Sequence, residues 1–206
     1  MFEQPTRDRR AEQRSRTRAE IIDAAWEIAR ESGLAGITLR DVAARVGMRA
    51  PSLYSYFDSK NAIYDAMFAE GARDFLAGVE TLTPTGDPLT DLRNGLRFYV
   101  DFATADPVRY QLLFQRTIPG FEPSPESYAP AVKALEIARA ELSRLGISDP
   151  GALDLFTALG AGLTSQQFAN EPGGDRWTRL VDPATEMFYA YVLPRQATRR
   201  AKGEGQ

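Results

Sequence analysis

Neither cysteine nor histidine occurs anywhere in the 206 residues. That double absence excludes disulfides, thiolate nucleophiles, imidazole bases and the commonest zinc ligands. Long apolar runs are lacking as well, since no stretch approaches the roughly 20 residues that a bilayer-spanning helix needs. The opening Met-Phe-Glu-Gln-Pro has none of the basic-then-apolar pattern of a secretory leader. Strand-like alternation and internal repeats are missing too. The expectation is therefore an all-α, cytoplasmic protein with no membrane association, no metal and no cofactor.

With 43% hydrophobic and 26% charged residues, the chain has the make-up of an ordinary globular protein able to bury a core. Its charge is unevenly spread. Residues 1–60 hold 11 Lys and Arg against 9 Asp and Glu, whereas residues 61–206 hold 14 against 19, so a net −3 chain has a basic start. Arg7, Arg9, Arg10, Arg14, Arg16 and Arg18 concentrate that excess in the first 18 residues. Such an arm is either a solvated tail or a match for phosphate.

Capping patterns divide the chain into helices. Thr17-Arg18-Ala19-Glu20 is a capping box, followed by Ile21, Ile22, Ala25, Trp26, Ile28 and Ala29 on one face and by Gly33 as the stop, which predicts a helix over 17–32. Thr38 with Asp41 opens a second helix that ends before Gly47, and Pro51 is acceptable in the first turn of a third, over 50–57. Ser59 caps a long fourth helix through Leu82. After the breaker Thr83 to Pro88 come helices near 88–105, from Pro107, and near 130–145, 150–170 and 182–200, with Pro119 to Pro130 as an irregular connection. The expected organisation is a flexible basic arm (1–16), a three-helix helix-turn-helix domain (17–62), a larger helical effector-binding and dimerisation domain (63–200) and a disordered tail (201–206).

Two short helices joined at Gly47 have the spacing of a helix-turn-helix, although an ordinary helical hairpin has it too. The residues separate these readings. Gly36-Ile37-Thr38-Leu39-Arg40-Asp41-Val42-Ala43-Ala44-Arg45-Val46-Gly47, followed by Ser52-Leu53-Tyr54-Ser55-Tyr56-Phe57-Asp58-Ser59-Lys60, closely resembles the TetR/AcrR family of bacterial transcription regulators over roughly residues 17–64. The resemblance implies a core of Leu39, Val42, Ala43, Leu53 and Phe57. It also implies a phosphate contact at Thr38, base-facing positions at Arg49, Ala50, Pro51, Ser52 and Ser55, and backbone clamps at Tyr54, Tyr56 and Lys60. Arg49 stands where Ser or Thr often caps this helix, and Pro51 where Gly is frequent. Arg49 is either a bidentate guanine reader or a phosphate contact, and Tyr54 is either a clamp or a packed core ring.

A reading head of one short helix covers few base pairs, so a homodimer on a palindromic operator in double-stranded DNA is expected. Leu155, Leu159, Gly162 and Leu163, with Phe188 and Tyr191 of the last helix, are the candidate dimer interface. An intrachain core would use the same residues. The aromatic-rich middle, Phe98, Tyr99, Phe102, Tyr110, Phe114, Phe121, Tyr128, Phe156 and Phe168, with Gln167 beside it, is either plain core or the lining of a small-molecule effector pocket. The resemblance implies the latter, and the acidic balance of this half disfavours an anionic effector. The segment beginning at Pro107 is the candidate coupling element. Against the regulator stand two other classes: a helical protein-interaction module that never touches DNA, and an enzyme with a helical core. Asp101 and Asp106, or Glu136 and Glu141, lie five apart and point roughly 140° apart on a helix, which suits no paired-carboxylate chemistry.

Overall fold

The computed structural model describes residues 6–203, with side chains over 9–192, and no strand occurs among the described residues. The helices are α1 (Thr6–Ser32), α2 (Leu39–Arg45), α3 (Ala50–Leu53), α4 (Lys60–Glu80), α5 (Pro88–Ala105), α6 (Pro107–Phe114), α7 (Pro125–Arg144), α8 (Ala152–Asn170) and α9 (Val181–Gly203). They pack as two compact units. One comprises the residues up to Gly71 together with Gln111–Tyr128, the other Ala72–Tyr110 and the residues from Ala129 onward.

In the first unit α1 starts at Thr6 rather than at Thr17, and Thr17 is a buried residue inside the helix. The run of Arg, Glu, Gln and Ala upstream consists of strong helix formers, so the helix continues past the local capping box. Residues 1–5 of the expected arm, and 204–206 of the expected tail, lie outside the described residues. Ile21, Ala25, Ile28 and Ala29 of α1 are buried, as are Val42, Ala43, Leu53 and Phe57, and α1 packs on α2 and α2 on α3. Gly47, at φ 70°, adopts the left-handed conformation that the turn between them requires, and its N–H reaches Ala44 O at 3.1 Å. The Tyr64 hydroxyl donates to Leu34 O at 2.6 Å and ties α4 to the turn after α1.

The stretch expected to be irregular up to Pro130 is so only as far as Ser124. The Ser124 hydroxyl accepts from the Ser127 N–H at 3.2 Å, and Pro125 occupies the first turn, where no N–H is needed, so α7 starts five residues early and carries Pro130 within it. Asp65 of α4 holds this start in place. Its carboxylate accepts from the Ser124 N–H at 2.6 Å, the Ser124 hydroxyl at 3.0 Å and the Ser127 hydroxyl at 2.7 Å.

The second unit is built around α5, whose Leu92, Leu96 and Val100 pack with residues of α8 and α9, among them Leu153, Phe188 and Val192. Asp87 caps α5 by accepting from the Thr90 N–H at 2.9 Å, and Asp106 caps α6 through the N–H groups of Val108 and Arg109, both at 3.1 Å. Asp91 is buried. Burial alone would raise its pKa, but the Thr85 hydroxyl (2.6 Å), the Thr85 N–H (2.7 Å) and the Arg144 guanidinium (2.6 Å) outweigh that and hold the carboxyl below its ordinary range.

Candidate nucleic-acid interface

The second short helix is the shorter part of a longer turn. Regular α-helix covers only Ala50–Leu53, and the chain then winds through Ser55, Tyr56 and Phe57, whose N–H groups bond to Ser52 O (3.2 Å), Leu53 O (2.9 Å) and Leu53 O (3.0 Å). Arg49 is its N-cap in extended conformation, with no side-chain bond to the helix, and Pro51 lies in the first turn. The missing cap at position 49 was legible in the sequence, because an Arg side chain has no acceptor to offer. Leu53 and Phe57 point into the core, so Arg49, Pro51, Ser52, Tyr54 and Ser55 are turned to solvent and Ala50 is half-buried. Tyr54 is 55% exposed and is not a packed ring. The structure thus brings the positions expected to face base edges onto one open surface.

Three residues expected at the DNA backbone are held by the protein itself. Thr38 caps α2: its hydroxyl accepts from the Asp41 N–H at 3.1 Å and donates to Asp41 Oδ2 at 2.6 Å. Lys60 is half-buried; its ammonium donates to Ala35 O at 2.9 Å and lies 5.3 Å from the centre of the Tyr64 ring. Tyr56 is half-buried, with the Arg14 guanidinium 5.0 Å from its ring centre. A carbonyl left free after a helix attracts a nearby ammonium, and Ala35 is too far along the chain from Lys60 for spacing to reveal it. Arg45, at the end of α2, donates to Glu27 and Glu31 of α1 at 3.0 and 2.7 Å. That hydrogen bonding lowers the pKa of Glu31 and raises that of Arg45.

The ten residues expected to line a pocket divide between the units. Phe114, Phe121 and Tyr128 belong to the first unit, where Phe121 packs on Tyr64 and Tyr128 on Phe68. In the second, Phe98 and Phe102 gather around Phe75 at 5.4 and 5.0 Å between ring centres, Tyr110 lies 5.5 Å from Phe168, and Phe156 lies 5.0 Å from Phe188. Burial, followed by the neighbouring Tyr110, pushes the Tyr99 hydroxyl well above the ordinary tyrosine range, so it stays a neutral hydrogen-bonding group. Gln167 is buried but fully engaged: its carbamoyl oxygen accepts from the Trp177 N–H at 2.8 Å, and its amide donates to Glu171 O. It ties the loop after α8 to that helix rather than offering itself to a ligand. Two polar atoms that residue type alone did not mark out, Thr164 Oγ1 and Trp177 Nε1, are buried without a hydrogen-bond partner among the described residues.

The six residues expected at a subunit interface separate as well. Leu155 and Tyr191 are exposed at 37% and 45%, Gly162 faces open space, and Leu159 and Leu163 pack partly against the core. Phe188, 1% exposed against Phe156, is intrachain core, because the face of α9 that carries it is covered by α8 and α5. Met187, next to it, is 61% exposed.

Residues 21–67 match the family described as bacterial regulatory proteins, tetR family. Over 103 residues the chain is 29% identical to the HTH-type transcriptional activator FasR of Mycolicibacterium smegmatis, an alignment covering 50% of this chain and 47% of that protein. Over 53 residues it is 40% identical to the tetracycline repressor protein class D of Escherichia coli, covering 26% of this chain and 24% of that one. The chain thus spans about half the length of the first relative and about a quarter of the second. The fold is shared more widely. The TetR family transcriptional regulator PfmR of Thermus thermophilus superposes with TM-score 0.61 at 18% identity over 82% of this chain and 96% of that one. The transcriptional regulator FadR of Bacillus subtilis, solved in complex with stearoyl-CoA, gives TM-score 0.63 at 18% identity over the same shares. The chain thus carries a segment, residues 21–67, that matches the tetR family of bacterial regulatory proteins, and it shares an all-helical fold with these regulators.

Proposed function

We propose that this regulator binds a palindromic operator as a homodimer, represses, and leaves the operator when a small molecule enters its second unit. The observation that carries the DNA-binding part is the open surface of Arg49, Pro51, Ser52, Tyr54 and Ser55, set on a core that turns Leu53 and Phe57 inward. A buried hairpin would have no reason to present these side chains together. In this reading residues 17–62 form the reading head and residues 63–200 sense and dimerise.

Exposed Leu155, Met187 and Tyr191, with Gly162 facing open space, support a paired face on α8 and α9, since large apolar side chains left in water favour association. The aromatic group of the second unit, together with the unpartnered Thr164 hydroxyl and Trp177 indole N–H, supports an effector with an apolar body and at least one hydrogen-bond acceptor. Its binding favours a dimer whose heads no longer match successive major-groove faces, about 34 to 36 Å apart. The helix that starts at Pro107 contributes residues to both units and is our candidate for the coupling.

Gel-shift titration at several salt concentrations, on duplexes selected by the protein from fragmented bacterial DNA, tests the reading. An operator regulator retains palindromic duplexes, and its affinity falls steeply with salt. Absence of any retained duplex would identify a helical interaction module instead.

A further inference from the structure

We propose that Arg14, on the upstream extension of α1, and Arg18, one turn further along the helix, are positioning residues that lock the recognition turn into its DNA-reading shape. This inference rests on the DNA-binding reading above. Regular helix in α3 lasts only four residues, so the carbonyls that follow it lack helical donors. Two of them are nonetheless satisfied: Arg14 Nη2 donates to Ser55 O at 2.6 Å, and Arg18 Nη1 donates to Tyr56 O at 2.5 Å. The same guanidinium groups lie over neighbouring rings, that of Arg14 5.0 Å from the Tyr56 ring centre and that of Arg18 4.1 Å from the Phe57 ring centre.

The two arginines stand one helical turn apart on one face of α1. Buried Thr17, between them in sequence, turns the neighbouring side of α1 inward. Arg14 can act only because α1 continues upstream of Thr17; a helix starting at Thr17 would leave it on an unstructured arm. Positive charge at the trailing end of a short helix also opposes the partial negative charge of its free carbonyls. The outcome is that Ser55, between exposed Tyr54 and half-buried Tyr56, is held from behind while its outer surface stays open. Such a support raises affinity for the cognate sequence by avoiding the cost of ordering the turn at binding. An arginine that gripped phosphate directly would raise affinity for every duplex alike.

The test measures fluorescence anisotropy of two labelled duplexes, one selected by the wild-type protein from a random-sequence pool and one of scrambled sequence, over a salt series. Arg14→Ala and Arg18→Ala together should weaken binding of the selected duplex roughly tenfold or more. Binding of the scrambled duplex and the slope of log affinity against log salt should change little. Arg14→Lys with Arg18→Lys keeps a donor and the charge, safeguards the fold, and should recover part of the loss. Arg16→Ala, whose side chain pairs with Glu20 on the far face, should leave both duplexes unaffected. Equal loss on both duplexes, with the slope falling by about 0.9 for each arginine removed, would reassign the pair to direct phosphate contact and overturn the inference. Unchanged affinity for the selected duplex would overturn it as well. Failure of the wild-type protein to select any duplex is a different result, one that removes the DNA-binding reading itself.

Discussion

A single side chain's role in this protein follows from whether its polar atoms are already taken. Arg49 has no bond to its own helix and stands at the edge of the open surface, so its planar fork is available for guanine O6 and N7. Arg49→Ala should weaken binding of the selected duplex by about 1 to 3 kcal/mol, and more than it weakens a scrambled one, as measured by anisotropy. Thr164 presents the opposite case. Its hydroxyl is buried and unpartnered, so replacing it by a methyl removes a desolvation cost. Thr164→Val should raise stability by about 1 kcal/mol in thermal or urea denaturation without ligand, and should weaken effector-induced release from the operator. Asp91 is buried and partnered. Asp91→Ala, which strands the Thr85 N–H, should cost about 2 to 3 kcal/mol. Because its folded pKa lies below the unfolded value, the stabilisation is present above about pH 4 and is lost as pH falls through the lower, folded value. A wild-type against Asp91→Asn comparison of urea midpoints from pH 7 down to pH 3 should show the gap closing at the acid end.

At the scale of the element, helices were legible where their ends are set by neighbours in sequence. Thr38 with Asp41, Ser59, and the pair Asp87 with Pro88 mark the starts of α2, α4 and α5 because a cap bonds to N–H groups two or three residues on. Two starts escaped that logic. The Thr17 box was overridden by helix-forming residues upstream, and α7 begins at Pro125 because Asp65, far away in the chain, secures the Ser124 cap. Close approach of α8 to α5 depends on Gly160, where an added Cβ would lie 2.6 Å from Tyr99 Cδ1. An aromatic ring cannot swing aside as the end of a flexible chain can. Gly160→Ala should therefore destabilise the second unit by about 1 to 3 kcal/mol, lowering the melting temperature by several degrees in calorimetry.

For the whole molecule the question is association. Met187, Tyr191 and Leu155 remain in water although other residues of the same two helices form the core. A second copy of the chain offers identical side chains in two-fold arrangement, the commonest way for such a face to be covered. On the proposed dimeric reading, Met187→Glu should shift sedimentation-equilibrium behaviour from dimer to monomer and cost most of the operator affinity, since one short reading helix covers few base pairs. A variant that stays dimeric and still binds would place the paired face elsewhere.

From the sequence alone came the all-helical class, most caps, the glycine turn at Gly47 and the two short helices it joins, because each depends on interactions within a few residues or on periodicity along one helix. Tertiary structure alone decided which faces were covered: it took Phe188 into the core, engaged Lys60 at Ala35 and Gln167 at Trp177, and brought Arg14 and Arg18 to the back of the recognition turn. The physical reason is that a side chain's partner, unlike its helix, is chosen by residues tens of positions away, and only packing determines which of them arrive within bonding distance.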